Sequence, residues 1–230
     1  MENKIQKVFR IIREVKELPS LQITLDNSET GKRLYDSFTE RHPKLKLIRK
    51  KTIGVELVKL KDFTNEEEYI KSVNGKNSAA YFSRKAAKAN YVFSEIDPNK
   101  YVDEIFTVNN SAGSRQGREM DESYTTKMTA YPIDEHNSYY GILNGKNLVA
   151  YLWIVKSGEL AVLNRLLADA DHMNAGVMYL LITSYISHAV KEKSETKFIM
   201  YDTFFGATDG LKMFKKRCGF VPHRVKWIKK

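Results

Sequence analysis

The stretch from Tyr139 to Asn174 limits the fold more than any other part of the chain. Three runs of β-branched, aliphatic and aromatic residues are broken there by Asn144-Gly145 and Ser157-Gly158. Glycine supplies the positive φ that a tight turn demands and asparagine tolerates it, so both dipeptides mark hairpins. The expectation is a three-stranded antiparallel meander. After it come Asp169 to Gly176 and then an apolar-periodic run from Val177 to Val190. Leu180, Leu181, Tyr185 and Ala189 recur in that run at three- and four-residue spacing, the mark of a long helix. A loop that opens a helix leaves unpaired backbone N–H groups and a partial positive charge at its head, a place able to hold a phosphate. The same geometry also occurs in folds that bind nothing there.

The chain continues with a short apolar strand, Lys197 to Phe205, an amphipathic helix, Asp209 to Cys218, and a last strand, Val221 to Ile228. The order is β-β-β-α-β-α-β. It closes on the pattern L-x-x-F-K-x-x-x-G-F-x-P, carried by Leu211, Phe214, Lys215, Gly219, Phe220 and Pro222. With these hairpins, this loop before the long helix and this ending, residues 139–230 resemble the core of the GNAT acyltransferase superfamily.

The resemblance implies an α/β (α+β) fold of the GNAT-like acyl-CoA N-acyltransferase kind, a central mixed, mostly antiparallel sheet flanked by helices. Residues 1–230 then form a single domain. Residues 1–130 would be an N-terminal α/β elaboration with acceptor-side helices, and residues 131–230 the acyl-CoA core. It also implies an enzyme that moves an acyl group, commonly acetyl, from acetyl-CoA or another acyl-CoA. The acceptor would be a primary amine of a small or sugar-linked molecule, attacking directly in a ternary complex.

In that reading Leu163, Arg165 and Leu166 of the third meander strand face the pantetheine. Met173, Asn174, Ala175, Gly176 and Val177 hold the pyrophosphate, with Phe214 alongside. One departure stands out. The superfamily writes its pyrophosphate loop R/Q-x-x-G-x-G/A, whereas this chain has His172-Met-Asn-Ala-Gly176-Val, with the glycine present and the other two positions out of register. Fem-type relatives with degenerate loops use aminoacyl-tRNA in place of coenzyme A. A Fem-like tRNA-dependent aminoacyltransferase is therefore one alternative, and a GNAT-like binding module that has lost its cofactor loop is another.

Attack of an amine on a thioester needs the acyl carrier held, a proton removed and an oxyanion stabilised. His172 follows the third strand, where an imidazole can titrate near neutral pH. Asp202 on the next strand can orient a partner or take a proton. Tyr201 is a candidate acid toward the leaving group, because superfamily members often use a tyrosine, although the chain has thirteen.

The first half reads as a mixture of helices and strands. Ile5, Val8, Phe9, Ile11, Ile12 and Val15 form a helical stripe ending near Pro19. Leu21 to Leu25 alternates as a strand, Ser28-Glu-Thr starts a helix through Phe38, and Lys44 to Leu60 has strand character with Gly54 at a bulge. Thr64 caps a helix to Val73, and Asn77 to Ala89 forms another that carries Arg84, Lys85 and Lys88. Its continuation, with Asn90 suited to a left-handed cap, resembles the R-K-A-x-K-x-G-Y region of Fem-like proteins. A helix from Pro98 to about Asn110 ends in a polar loop. There Arg115, Gln116 and Arg118, together with Arg84, can bind an anionic group of the acceptor, since guanidinium forks match carboxylate and phosphate.

Composition removes several classes of function. A single cysteine, Cys218, excludes an internal disulfide framework. Its place before a helix-ending glycine fits a small buried side chain rather than a nucleophile. The five histidines show no i,i+4 pair and no Glu partner at ligand spacing, so no metal is expected. There is no Walker-type loop and no G-x-S-x-G elbow. With no spanning apolar run and no secretory signal, the expectation is a cytoplasmic protein without membrane insertion. The formal charge of +10 suits an anionic partner, such as a nucleotide carrier or tRNA, and suits equally a lysine-rich solvated surface.

Overall fold

The computed structural model describes residues 13–42, 49–115 and 118–230, without the side chains of Arg115, Arg118 and Glu119. Most of the expected first helix, the start of the Lys44 strand and Gln116 therefore lie outside the described residues, and residues 13–17 are helical.

The chain order is β1 (Ser20–Leu25), α1 (Glu29–Thr39), β2 (Ile53–Lys59), α2 (Glu66–Ser72), α3 (Ala79–Lys88), β3 (Tyr91–Glu95) and α4 (Val102–Asn110). A small hairpin of β4 (Ser114–Arg115) and β5 (Arg118–Glu119) and the short α5 (Glu122–Thr125) follow. Then come β6 (Asn137–Asn144), β7 (Asn147–Ser157), β8 (Leu160–Ala168), α6 (Val177–Glu192), β9 (Phe198–Thr203), α7 (Asp209–Arg217) and β10 (Val221–Lys229). Eight strands share one sheet in the order β1-β10-β2-β9-β8-β7-β6-β3. Only β1/β10 and β8/β9 run parallel among its pairs. Strands from both sides of residue 131 thus interleave.

Local chemistry sets the helix ends. Ser28 accepts from Gly31 N at the head of α1, and Ser78 from Tyr81 N at the head of α3. The cap of α2 is Asn65 rather than Thr64: Asn65 accepts from Glu68 N, while Glu68 reaches back to Thr64 N. Asn90 does adopt the left-handed conformation, φ 64°. The helix expected from Pro98 is divided into a single turn, Pro98–Lys100, and α4. Asn109, in the last turn of α4, is buried and accepts from the Tyr151 hydroxyl at 2.7 Å.

The two faces of the sheet are covered differently. On one face α2, α3, α6 and α7 close over a continuous core that includes Leu152, Ile154, Leu163, Leu181 and Ile186. On the other the core is divided. Ile23, Phe38, Met200 and Trp227 pack under α1, whereas Ile105, Val108, Tyr139 and Tyr151 pack under α4. Between these two patches a trench runs along the middle of β8, past Val162 and Asn164.

Candidate active site

The parallel pairing of β8 and β9 covers only Leu160–Val162 against Phe198–Met200. Beyond it the strands part, so Leu163–Ala168 and Tyr201–Thr203 bound a wedge. Irregularities on both strands make the split. On β8, Trp153 pairs with Arg165 and Ile154 with Leu163, leaving Asn164 as an extra residue. On β9, Thr203 pairs with Val55 and Met200 with Leu57, so Tyr201 and Asp202 together oppose Glu56. A bulge of this kind bends its strand and re-aims side chains. Asp202 takes the strain, with a left-handed φ of 54° that costs a non-glycine residue about 1–3 kcal/mol.

Two adjoining hollows lie along the trench and share Leu34, Ser37 and Asn164. The one at the split encloses about 390 Å³ and is lined by Lys51, Tyr124, Tyr201, Asp202 and Lys215 among others. The longer one, about 880 Å³, runs past Arg33, Asp36, Asn137 and Trp153.

The floor of the smaller hollow holds a buried ion pair. Lys215 Nζ lies 2.6 Å from Glu56 Oε2, with the side chains 1% and 2% exposed. The same ammonium donates to Thr203 O at 3.0 Å and stands 4.9 Å from the Tyr201 ring centre. Burial pushes the Glu56 carboxyl above its usual range, opposed by the hydrogen bond and charge of Lys215. Burial likewise raises the Tyr201 phenol, which keeps it protonated. At the rim a second pair, Lys51 with Asp202, is far more open, at 28% and 58% exposure.

The head of α6 has its own arrangement. Residues Ala170–Ala175 form a tight helical turn capped by Asp169, and Gly176 follows at φ 90°. A Cβ at Gly176 would stand 2.8 Å from the carbonyl oxygen of Phe82, so glycine lets α3 approach here. Phe82 stacks on Tyr179 at 4.9 Å, and Tyr179 meets Phe214 of α7 at 4.8 Å. Arg217 donates to the Tyr179 hydroxyl at 3.2 Å.

No family model and no curated protein matches the chain. Among solved structures, FemX superposes with a TM-score of 0.58 over 74% of this chain and 59% of FemX, at 10% identity. The fold is like that of FemX, a mixed sheet flanked by helices. Looser likenesses are to L-PGS from Bacillus licheniformis, 14% identical with a TM-score of 0.47 over 75% of this chain and 61% of that one. Another is to a tandem GNAT protein from the clavulanic acid biosynthesis pathway, 12% identical with a TM-score of 0.45 over 90% and 59%. The chain spans less than two thirds of the length of these structures.

Within this fold the expected site residues separate into groups. Tyr201 and Asp202 come together at the cleft, with Leu163 and Leu166 on its β8 side. Arg165 is turned to the trench side, its guanidinium 4.5 Å from the Tyr124 ring centre and 5.7 Å from that of Trp153. His172 is drawn elsewhere: its Nδ1 lies 2.7 Å from the Tyr91 hydroxyl of the edge strand β3. Met173 and Asn174 are exposed, Ala175 is partly buried, and Gly176 and Val177 are buried. Phe214 packs on Tyr179 rather than standing free. Arg84 donates to Asn74 on the helix-covered face, away from the trench.

The backbones of Arg115 and Arg118 pair in the β4–β5 hairpin. Cys218 is buried, and burial holds its thiol far above the usual range. Among the described residues no group of three metal-ligating side chains occurs, although His188 does have a Glu partner, Glu192, at 3.3 Å and i,i+4 spacing. Nor, among the described residues, is any helix long and apolar enough to cross a membrane.

Sequence reasoning missed Glu56 and the role of Lys215. A signal existed, because Lys215 falls on the apolar stripe of its helix with Leu211, Phe214 and Cys218.

Proposed function

We propose that the protein transfers an acyl group to a primary amine by direct attack in a ternary complex, at the cleft where β8 and β9 part. The observation that carries this reading is the buried Lys215 ammonium at the cleft floor, held by Glu56 and Thr203 O. The amine nitrogen forms a bond to the carbonyl carbon and gives its proton to the Asp202 carboxylate on the cleft lining, and the carbonyl oxygen gains charge. The carbon–oxygen or carbon–sulfur bond to the carrier then breaks. A fixed ammonium in a poorly solvated place stabilises that oxyanion with little reorganisation, and each 1.36 kcal/mol so gained is about tenfold in rate. Tyr201, protonated at neutral pH, is placed to donate to the departing group. The acceptor takes the trench, whose mixture of Arg33, Asp36, Asn137 and Trp153 suits a small polar or sugar-linked amine.

For the donor, an aminoacyl ester carried by tRNA is favoured over acyl-CoA. Tyr179 and Phe214 bridge the first turn of α6 to α7, and the Phe82 carbonyl stands against Gly176. Pantetheine and pyrophosphate would need that ground, and the residues present do not fit them. The net charge of +10 agrees with a polyanionic carrier.

Thermal melting and RNA retention test this. Acetyl-CoA at millimolar concentration is expected to leave the melting temperature unchanged. A ligand at about 100 times its Kd would add about 2.7 kcal/mol and several degrees. Charged tRNA should be retained at low salt, with affinity falling steeply as ionic strength rises. A clear shift with acetyl-CoA would return the donor to a thioester. Neither ligand binding would leave the non-catalytic binding module as the better reading.

A further inference from the structure

Asp202 and Lys51 meet at the cleft rim, and their geometry has a chemical meaning beyond an ordinary surface pair. Lys51 is carried by the segment between α1 and β2, and its backbone is fixed at both ends. Its N–H donates to Phe38 O at 3.0 Å, and its carbonyl accepts from Trp227 Nε1 at 2.6 Å. From that anchored base the side chain reaches the cleft, and its ammonium pairs with Asp202 Oδ1. An unbranched primary alkylammonium therefore already sits on the hollow that Tyr201 and Lys215 also line.

The Asp202 backbone supports the same view. The bulge on β9 imposes a left-handed conformation that glycine would adopt at less cost, so what aspartate adds at this position is its carboxylate. That carboxylate is on the cleft lining and more than half exposed, open to a ligand from the trench. Exposed lysine–carboxylate pairs are weak and easily exchanged, unlike the Glu56–Lys215 pair beneath.

We infer that Asp202 is the anchor for the acceptor's amine and that Lys51 is its resident stand-in, an internal copy of a primary alkylammonium that the acceptor displaces. This rests on the reading of the cleft as an amine-acceptor site and narrows its substrate class to primary amines on unbranched carbon. Secondary, tertiary and quaternary amines lack the donors or the slimness that the Lys51 side chain displays.

The test uses n-butylammonium chloride titrated into the ¹⁵N-labelled chain, with the amides of Asp202 and Thr203 followed and sodium chloride at matched concentration as the control. The native chain should show a weak, saturable response. Lys51→Met should bind about fivefold more tightly, the factor that loss of an exposed ion pair permits. Asp202→Asn, with Lys51 intact, should lose the saturable response, and tetramethylammonium should give none with any variant.

Equal affinity in the native chain and Lys51→Met would overturn the inference, as would a response retained in Asp202→Asn. Should Lys51→Met fail to fold, Lys51→Gln and the Asp202→Asn result decide between the same two outcomes. No acyl donor is present in this titration. A failed transfer assay therefore leaves its result standing, and a failed titration leaves the donor reading to its own test.

Discussion

The floor and the rim of the cleft hold the same chemical pair, a lysine with a carboxylate, in opposite environments. Lys215 and Glu56 are almost wholly buried, and Lys51 and Asp202 are open to water. Desolvation makes the first pair expensive to assemble and ruinous to break, while water makes the second nearly free either way. Burial, not the identity of the partners, decides which pair is a fixture and which can exchange.

The sharpest way to break this comparison is Lys215→Ala. It strands Glu56 in the interior and should cost about 3–5 kcal/mol in urea unfolding; a cost under 1 kcal/mol would mean that floor and rim do not differ. Next comes the double change Lys215→Met with Glu56→Leu, which removes both charges at similar volume. Its stability should fall within about 1–2 kcal/mol of the native chain or exceed it, while acyl transfer is lost. Stability lost to the same extent as in Lys215→Ala would show that the charges themselves hold the fold.

A third measurement asks what burial does where it outweighs the nearby charges, here those of Lys59 and Asp62. His223 is buried on β10 opposite Val55, with Nδ1 at 2.7 Å from Val221 O. Burial lowers its pKa below the ordinary 6.5. The folded state therefore binds fewer protons than the unfolded one once the pH drops below 6.5. Stability is full above that value and declines as pH falls through it toward the folded pKa, by at most about 1.4 kcal/mol per pH unit. Comparing urea midpoints at pH 7.5 and pH 5.5 in the native chain and His223→Gln isolates this contribution, which should vanish in the variant. Smallest of all is Lys51→Met, expected to change stability by less than about 1 kcal/mol, with what difference there is disappearing in high salt.

Of the rim, Asp202 is legible in the sequence as a site residue and Lys51 is not, while the floor leaves only a trace there. Lys215 stands on an apolar helical stripe, a visible anomaly, and Glu56 lies among Val55, Leu57 and Val58. That the two meet depends on how α7 seats against β2, a tertiary contact rather than a local pattern, and the extra residue in β9 opposite Glu56 is no more visible in the sequence. The meander from β6 to β8 was legible because Asn144-Gly145 and Ser157-Gly158 encode its turns locally. His172 misled because its place after a strand suggested the cleft. The loop's tight turn instead takes it to Tyr91 on the sheet edge, which no spacing in the sequence announces.

The pairing of β1 with β10 sets a schedule for the nascent chain. Among the described residues the one strand that Ser20–Leu25 pair with is Arg224–Lys229 of β10, so this segment must wait until residues 224–229 have been made. Until then Ile23 and Leu25, together with Phe38 and its Trp227 neighbour, have no finished seat. Chaperones that shield such segments should engage residues 20–38, and translation stopped before residue 224 should yield aggregates rather than a smaller working protein.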